Sequence, residues 1–334
     1  MTIKEVARAA GVSPATVSRV FNDTVPVDAE TRARVLAAAE ALRYVPNAAA
    51  RSLITSRTGT IGVLLPDLHG VFHAQVMRGL DTASRRRGFD LLVSSAQGDH
   101  DAAVSAIRAM RGRVDGVILM LPELDAKALL RELAEEQPAM LLDAAADDDR
   151  TSAAAIDEAG GAAAMVRHLI RHGHRRIGLL SGDPRRHDAG ERRRGYRQAL
   201  ADAGLPVAPE LEIVDDVTED GGCAAARRLI AVEPRPTAIF AVSDAMAVGA
   251  LAALRGADVP VPDEMAVAGF GDLPVARYVT PPLSSVRVPA FELGVLAIDR
   301  MLLAVARRDR PIASRDVLEC TVIPRASCGV HESE

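Results

Sequence analysis

Residues 3–20, IKEVARAAGVSPATVSRV, decide how the amino-terminal end of this chain folds. Thr2 and Glu5 form a capping-box pattern ahead of a short helix whose buried side is Val6 and Ala7. Ala7 is small where two helices must cross closely, and Gly11 stands where the chain turns and a positive φ costs glycine little. Ser13 is a natural N-cap, Pro14 suits the first helical position, and Val17 and Val20 return to the core at i,i+3. Ala15, Thr16, Ser18 and Arg19 are left facing outward. These groups can approach base edges in a DNA major groove, and the Arg19 guanidinium can fork onto guanine. A surface helical hairpin in an enzyme is the competing reading, and it explains fewer of these positions. The segment reads as a helix-turn-helix.

Working outward, Asp28 is an N-cap for a third helix over about 29–42, with Val35, Leu36, Ala39 and Leu42 on one face. Tyr44, Val45 and Pro46 break it. Residues 47–55 fit one more short helix, and 57–60 read as a linker. From residue 60 the pattern changes to strand-length apolar runs: 61–65, 90–94, 116–121, 139–142, 176–180, 211–214, 238–241 and 265–269. Helical stretches such as 74–87, 102–111 and 162–172 lie between them. Such alternation predicts βαβ units and parallel sheets covered on both faces. That much α/β chain is large for one sheet, so two sub-domains with a cleft between them are expected. Ligands of open α/β sheets bind beyond the carboxyl ends of strands, which places the cleft there.

The 334 residues allow two or three domains, each with its own core. Only 3% are aromatic, so Ala, Val and Leu must fill those cores. Net charge is −5, which argues against a general nucleic-acid coat protein. Its distribution says more: residues 1–60 hold eight Lys/Arg against five Asp/Glu, a charge of +3, leaving −8 on the rest. A basic head on an acidic body is expected when one end alone meets phosphate. No stretch resembles a signal peptide and no run approaches the roughly 20 apolar residues of a membrane span, so a cytoplasmic, nucleoid-associated protein without membrane contact is expected. Cys223, Cys320 and Cys328 lack a CxxC spacing and read as reduced structural thiols.

With head, linker and α/β body in this order, the chain resembles the LacI/GalR family of bacterial transcription regulators from residue 2 to about 325. The segments that carry the resemblance, besides the head, are PNAAARSL at 46–53, TIGVLLPD at 60–67, HLIRHGHRRIGLLSG at 168–182, ERRRGYRQAL at 191–200, TAIFAVSDAMAVGAL at 237–251 and VAGFGDLPVARYVTPPLSSVR at 267–287. It implies a small all-α helix-turn-helix head and an α/β periplasmic-binding-protein-like (type I) body of two parallel-sheet sub-domains. The expected division is 1–57 for DNA binding, including a hinge helix at 47–55, and 58–330 for effector binding and dimerisation. Within the body, the N-sub-domain is expected at about 58–158 and 290–320, and the C-sub-domain at about 159–289 and 321–330. The resemblance assigns DNA contact to Thr2, Ser13, Pro14, Ala15, Thr16, Ser18, Arg19, Asn22, Asn47, Ala50 and Leu53. Two hinge helices pair in the minor groove in this family and wedge a leucine, here Leu53, into a central base step. A lone helix that short is marginal in water, so it should be ordered only when something buries its face. Pro14 and Ala15 offer apolar contact alone, which shifts specificity toward Arg19, the wedge and DNA shape.

Carried over residue by residue, the effector cleft should contain Asp67, His69, Phe72, His73, Ser94, Met120, Asp143, Arg192, Val217, Ser243, Phe270 and Asp272. Several sugar-binding groups of the family are missing. Ser243 replaces an Asn, Gly271 an Asp, Val217 a stacking aromatic and Met120 a polar residue. Each hydroxyl left unpaired costs about 1–3 kcal/mol, so a neutral hexose is disfavoured. Arg192, the two histidines and Phe72 suit an anionic or flat ligand, such as a carboxylate or heterocycle.

Other signals carry less. His172-Gly173-His174 sits among arginines and reads as a loop rather than a metal site, and Asp147–Asp149 lacks alternating ligand spacing. Gly269-Phe270-Gly271 lacks the third glycine of a dinucleotide site, and Arg85–Arg87 ends a helix. No nucleophile–base arrangement emerges, so no enzyme, cofactor or metal is expected. The expected function is a homodimeric, sequence-specific regulator, a repressor of a pseudopalindromic operator under small-molecule control. The alternative is a solute-binding protein of the same body fold without a DNA role.

Overall fold

The computed structural model describes residues 1–22, 25–44, 57–67, 70–121, 124–133, 137–143, 151–306 and 314–329. The expected hinge helix at 47–55 and the Asp147–Asp149 run lie outside these residues.

The head is built from α1 (Ile3–Ala10), α2 (Pro14–Asn22) and α3 (Ala29–Ala41). The Glu5 carboxylate accepts from the Thr2 backbone N–H at 2.7 Å and from its hydroxyl at 3.1 Å, which fixes the start of α1. Gly11 ends α1 at φ 66°, the left-handed conformation the turn requires. Ser13 Oγ then accepts from the Thr16 N–H at 3.1 Å, and Asp28 accepts from the Thr31 N–H at 2.8 Å. Val6, Ala7, Ala10, Val17, Val20, Val35 and Ala39 close one small core. Leu36 departs from the expected pattern and is exposed, because Val35 and Ala39 already fill the inward stripe of α3.

The body has two six-stranded sheets. The first contains β1 (Thr60–Leu65), β2 (Asp90–Ser95), β3 (Gly116–Leu119), β4 (Ala139–Leu142), β5 (Ser152–Ile156) and β11 (Arg315–Leu318), in the order β11-β5-β4-β3-β1-β2. The second contains β6 (Ile177–Ser181), β7 (Glu212–Val214), β8 (Ala238–Ala241), β9 (Ala266–Gly271), β10 (Ser284–Arg287) and β12 (Thr321–Ile323), in the order β12-β10-β9-β8-β6-β7. β3 pairs in parallel with β1 and β4, and β8 with β6 and β9, while β12 runs antiparallel to β10. Around the first sheet lie α4 (Val71–Arg86), α5 (His100–Met110), α6 (Ala126–Leu130) and α11 (Ala290–Ala306). Around the second lie α7 (Glu158–Arg171), α8 (His187–Asp202), α9 (Glu219–Ile230) and α10 (Asp244–Gly256). Each sheet has its own aliphatic core. The chain passes between the two lobes three times, from β5 to α7, from β10 to α11 and from β11 to β12.

Candidate functional site

At the start of α2 and along it, Ser13, Pro14, Ala15 and Arg19 are exposed, Thr16 and Ser18 are half-buried, and Val17 and Val20 are buried. The outward face expected from the sequence is therefore presented to solvent. Thr16 is partly committed, since its hydroxyl lies 2.9 Å from Ser13 Oγ at the helix cap. Thr2 is exposed at the start of α1. Asn47, Ala50, Leu53 and the side chain of Asn22 fall outside the described residues.

A cavity of about 1050 Å³ lies in the body. Its walls are the segments just after the strands: Asp67 after β1, Gln97 after β2, Met120 after β3, Asp143 after β4, Val217 after β7, Ser243 after β8 and Phe270–Asp272 at the end of β9. The first turns of α4, α8 and α11 complete it with Phe72, His73, His187, Asp188 and Phe291. The cavity thus gathers ten of the twelve residues expected there. Ser94 is a correction: it lies half-buried on β2 and is not among the lining residues. β2 is an edge strand, and the lining passes instead to Gln97 and Gly98 beyond its end. His69 falls outside the described residues.

Several of these side chains are already committed. Arg192 donates through Nε to Glu158 at 2.5 Å and through Nη1 to the Val242 carbonyl at 2.6 Å, with its guanidinium 4.1 Å above the Phe270 ring. Glu158, 2% exposed, was not singled out in the sequence; it matches the Arg192 charge and weakens the expectation of an anionic ligand there. Ser243 Oγ accepts from the Met246 N–H at 3.1 Å and so caps α10. Asp272 sits at φ 49° with its carboxylate buried between Arg287 and Arg325. Asp67 pairs with His73 at 3.2 Å, and the edge of Phe72 meets the His73 ring. Asp244 and Arg325 were also missed: Asp244 accepts from the Ser285 hydroxyl at 2.5 Å and the Leu273 N–H at 2.6 Å, and so holds the β9 turn. Both are interior residues whose signal depends on contacts 29 to 53 positions away in sequence, which no local motif marks.

Asp143 differs from all of these. It is 6% exposed at φ 52°, and its Oδ1 is buried with no partner among the described residues. Burial pushes its carboxyl up to about 6, and the Glu158 carboxylate adds to the rise against the pull of His187 and Arg192.

Residues 2–47 match the model of bacterial regulatory proteins of the lacI family, and residues 166–328 match the periplasmic binding protein-like domain. The ribose operon repressor of Escherichia coli (strain K12) is 35% identical over 326 residues, covering 96% of this chain and 97% of that protein. The chain belongs to the LacI family. Another relative of this LacI-family protein is the HTH-type transcriptional repressor PurR of Photobacterium profundum, 34% identical over 90% of this chain and 91% of that protein. Among solved structures, the lac repressor dimer bound to operator and the anti-inducer ONPF superposes with a TM-score of 0.88 at 27% identity, covering 98% of this chain and 99% of that one. The LacI-family protein is a DNA-binding transcriptional repressor with an effector-binding body.

Proposed function

We propose that this repressor acts as a homodimer on a pseudopalindromic operator in the cytoplasm, on the nucleoid, with residues 1–57 gripping DNA and residues 58–330 pairing two copies and sensing a metabolite. The observation that carries this is the coexistence, on one chain, of a capped recognition helix with an exposed Ser13–Arg19 face and a large cavity at strand ends. Two heads then occupy half-sites about one helical turn apart. A ligand that changes how the two lobes sit alters the spacing of the hinge segments, and a few kcal/mol of such coupling is enough to release or secure the operator.

The effector is not a neutral hexose. Ser243 is spent on a helix cap, Met120 and Val217 offer no hydrogen bond, and the carboxylate of Asp272 is held by two arginines. Those four positions therefore give a ring of hydroxyls little to bond. Gel retardation on DNA upstream of the protein's own gene, with chromatography for the dimer, tests the first proposal. A monomer with no sequence-dependent binding at moderate salt overturns it. Leu53→Gly should abolish tight operator binding and leave effector affinity unchanged. A neutral hexose emerging as the tightest ligand in a binding screen defeats the effector reading.

A further inference from the structure

Among the polar groups that line the cavity, a carboxylate oxygen and a guanidinium nitrogen are left unused by the protein. The acceptor is Asp143 Oδ1, buried at the end of β4 with its backbone N–H already bonded to the Ala154 carbonyl at 2.9 Å. The donor is Arg192 Nη2. Nε and Nη1 are engaged, and Nη2 has no partner among the described residues, nor is it among the buried unpartnered atoms, so it stays accessible from the cavity. A buried carboxyl oxygen without a donor is costly to keep, which points to a donor arriving with the ligand.

We propose that the effector carries an amide-type edge, an N–H donor beside a carbonyl or ring-nitrogen acceptor, on a flat uncharged frame, with the N–H on Asp143 Oδ1 and the acceptor on Arg192 Nη2. This rests on the reading of the cavity as the effector site. The frame is flat and apolar because Phe72, Phe291 and Met120 line the same cavity and the Phe270 ring lies under the Arg192 guanidinium. It is uncharged where it meets Asp143 and Arg192, because the fixed charges that act on that end are offset or repel an anion. Glu158 neutralises Arg192, Arg186 pairs with Asp188 at 3.6 Å, and His73 pairs with Asp67 on the opposite wall. A ligand carboxylate would meet Asp143, Glu158 and Asp188 together, with His187 and Arg192 as the opposing groups on α8. The open first turns of α4 and α8, neither capped by a side chain, suit further acceptor atoms of the same frame.

The charge state of Asp143 sets the sign of the pH dependence. An N–H donor favours the ionised carboxyl, so its binding tightens as pH rises through about 6 and then levels off. A carboxylate ligand needs the protonated form and shows the opposite trend.

The test uses the full-length protein and three probes: nicotinamide, nicotinate with a carboxylate in place of the amide, and D-ribose as a neutral polyol. Calorimetry at pH 5 and pH 7.5 should show nicotinamide binding about tenfold or more tighter than either of the others at pH 7.5, and weakening at pH 5. Asp143→Ala should lose about tenfold in nicotinamide affinity. Asp143→Asn, which tolerates the left-handed backbone, should lose the pH dependence. Operator retention by both variants shows that they are folded. Tighter binding of nicotinate or D-ribose, or an unchanged affinity in Asp143→Ala, overturns this proposal and leaves the cavity standing as the effector site. Binding of none of the three at 10 mM, with operator binding intact, removes both.

Discussion

Asp143 is a residue kept against the interest of stability. Its carboxyl titrates at 3.8 when unfolded and at about 6 in the fold, so the native state holds the proton more tightly. The penalty is absent below pH 3.8, grows through the window to 6 and is complete above it. A shift of that size corresponds to about 3 kcal/mol. Asp143→Asn is therefore expected to raise stability at pH 7.5 by up to about 3 kcal/mol, with little gain at pH 3.5. Denaturant titrations at both pH values check this, and an equal effect at both sinks it. The sequence made Asp143 visible as a family position. It did not reveal that Glu158 would neutralise Arg192, because that pairing joins α7 to α8 across 34 positions.

At the scale of elements, each of three helix pairs crosses at a contact where a Cβ finds no room. Gly79 of α4 faces the Phe291 carbonyl of α11, and Gly294 of α11 faces the Val76 carbonyl in return. Gly195 of α8 meets the Ala159 carbonyl of α7. Gly222 of α9 and Gly249 of α10 meet, respectively, the Met246 and Glu219 carbonyls. In each case the obstacle is backbone, which cannot swing aside as a side chain can. Gly249→Ala and Gly294→Ala should each cost about 1–3 kcal/mol through forced separation of the helices, despite the better helix propensity of alanine. Thermal denaturation checks both, and a gain in stability contradicts the close-approach argument. Strong apolar runs such as 139–142 and 238–241 coincide with β4 and β8, because a strand buried on both faces leaves that mark. Four strands left no such mark. β5 is alanine-rich and short. In β10, Ser284 and Ser285 are fully buried because the hydroxyls bond the Arg325 carbonyl and the Asp244 carboxylate. β11 and β12 are short and belong to different sheets, so their pairing depends on contacts the linear pattern does not hold.

For the whole molecule, the decisive asymmetry is the charge of +3 on residues 1–60 against −8 on the rest. Phosphate contacts release counterions, so the logarithm of operator affinity falls linearly with the logarithm of salt, by about 0.9 for each phosphate neutralised. An acidic body adds no such contacts, which leaves the slope to the two heads of the proposed dimer. With six or more contacts per dimer, affinity should drop by at least about 10³ between 50 and 200 mM salt. Arg19 separates base reading from phosphate holding. It is exposed on the outward face of α2, between the buried Val17 and Val20. As a base reader, Arg19→Ala should lose about 1–3 kcal/mol per half-site and relax preference at one base pair, with an unchanged salt slope. A slope shallower by about 2, with every operator variant weakened equally, would make Arg19 a phosphate contact in both copies and move sequence choice to other residues of the head.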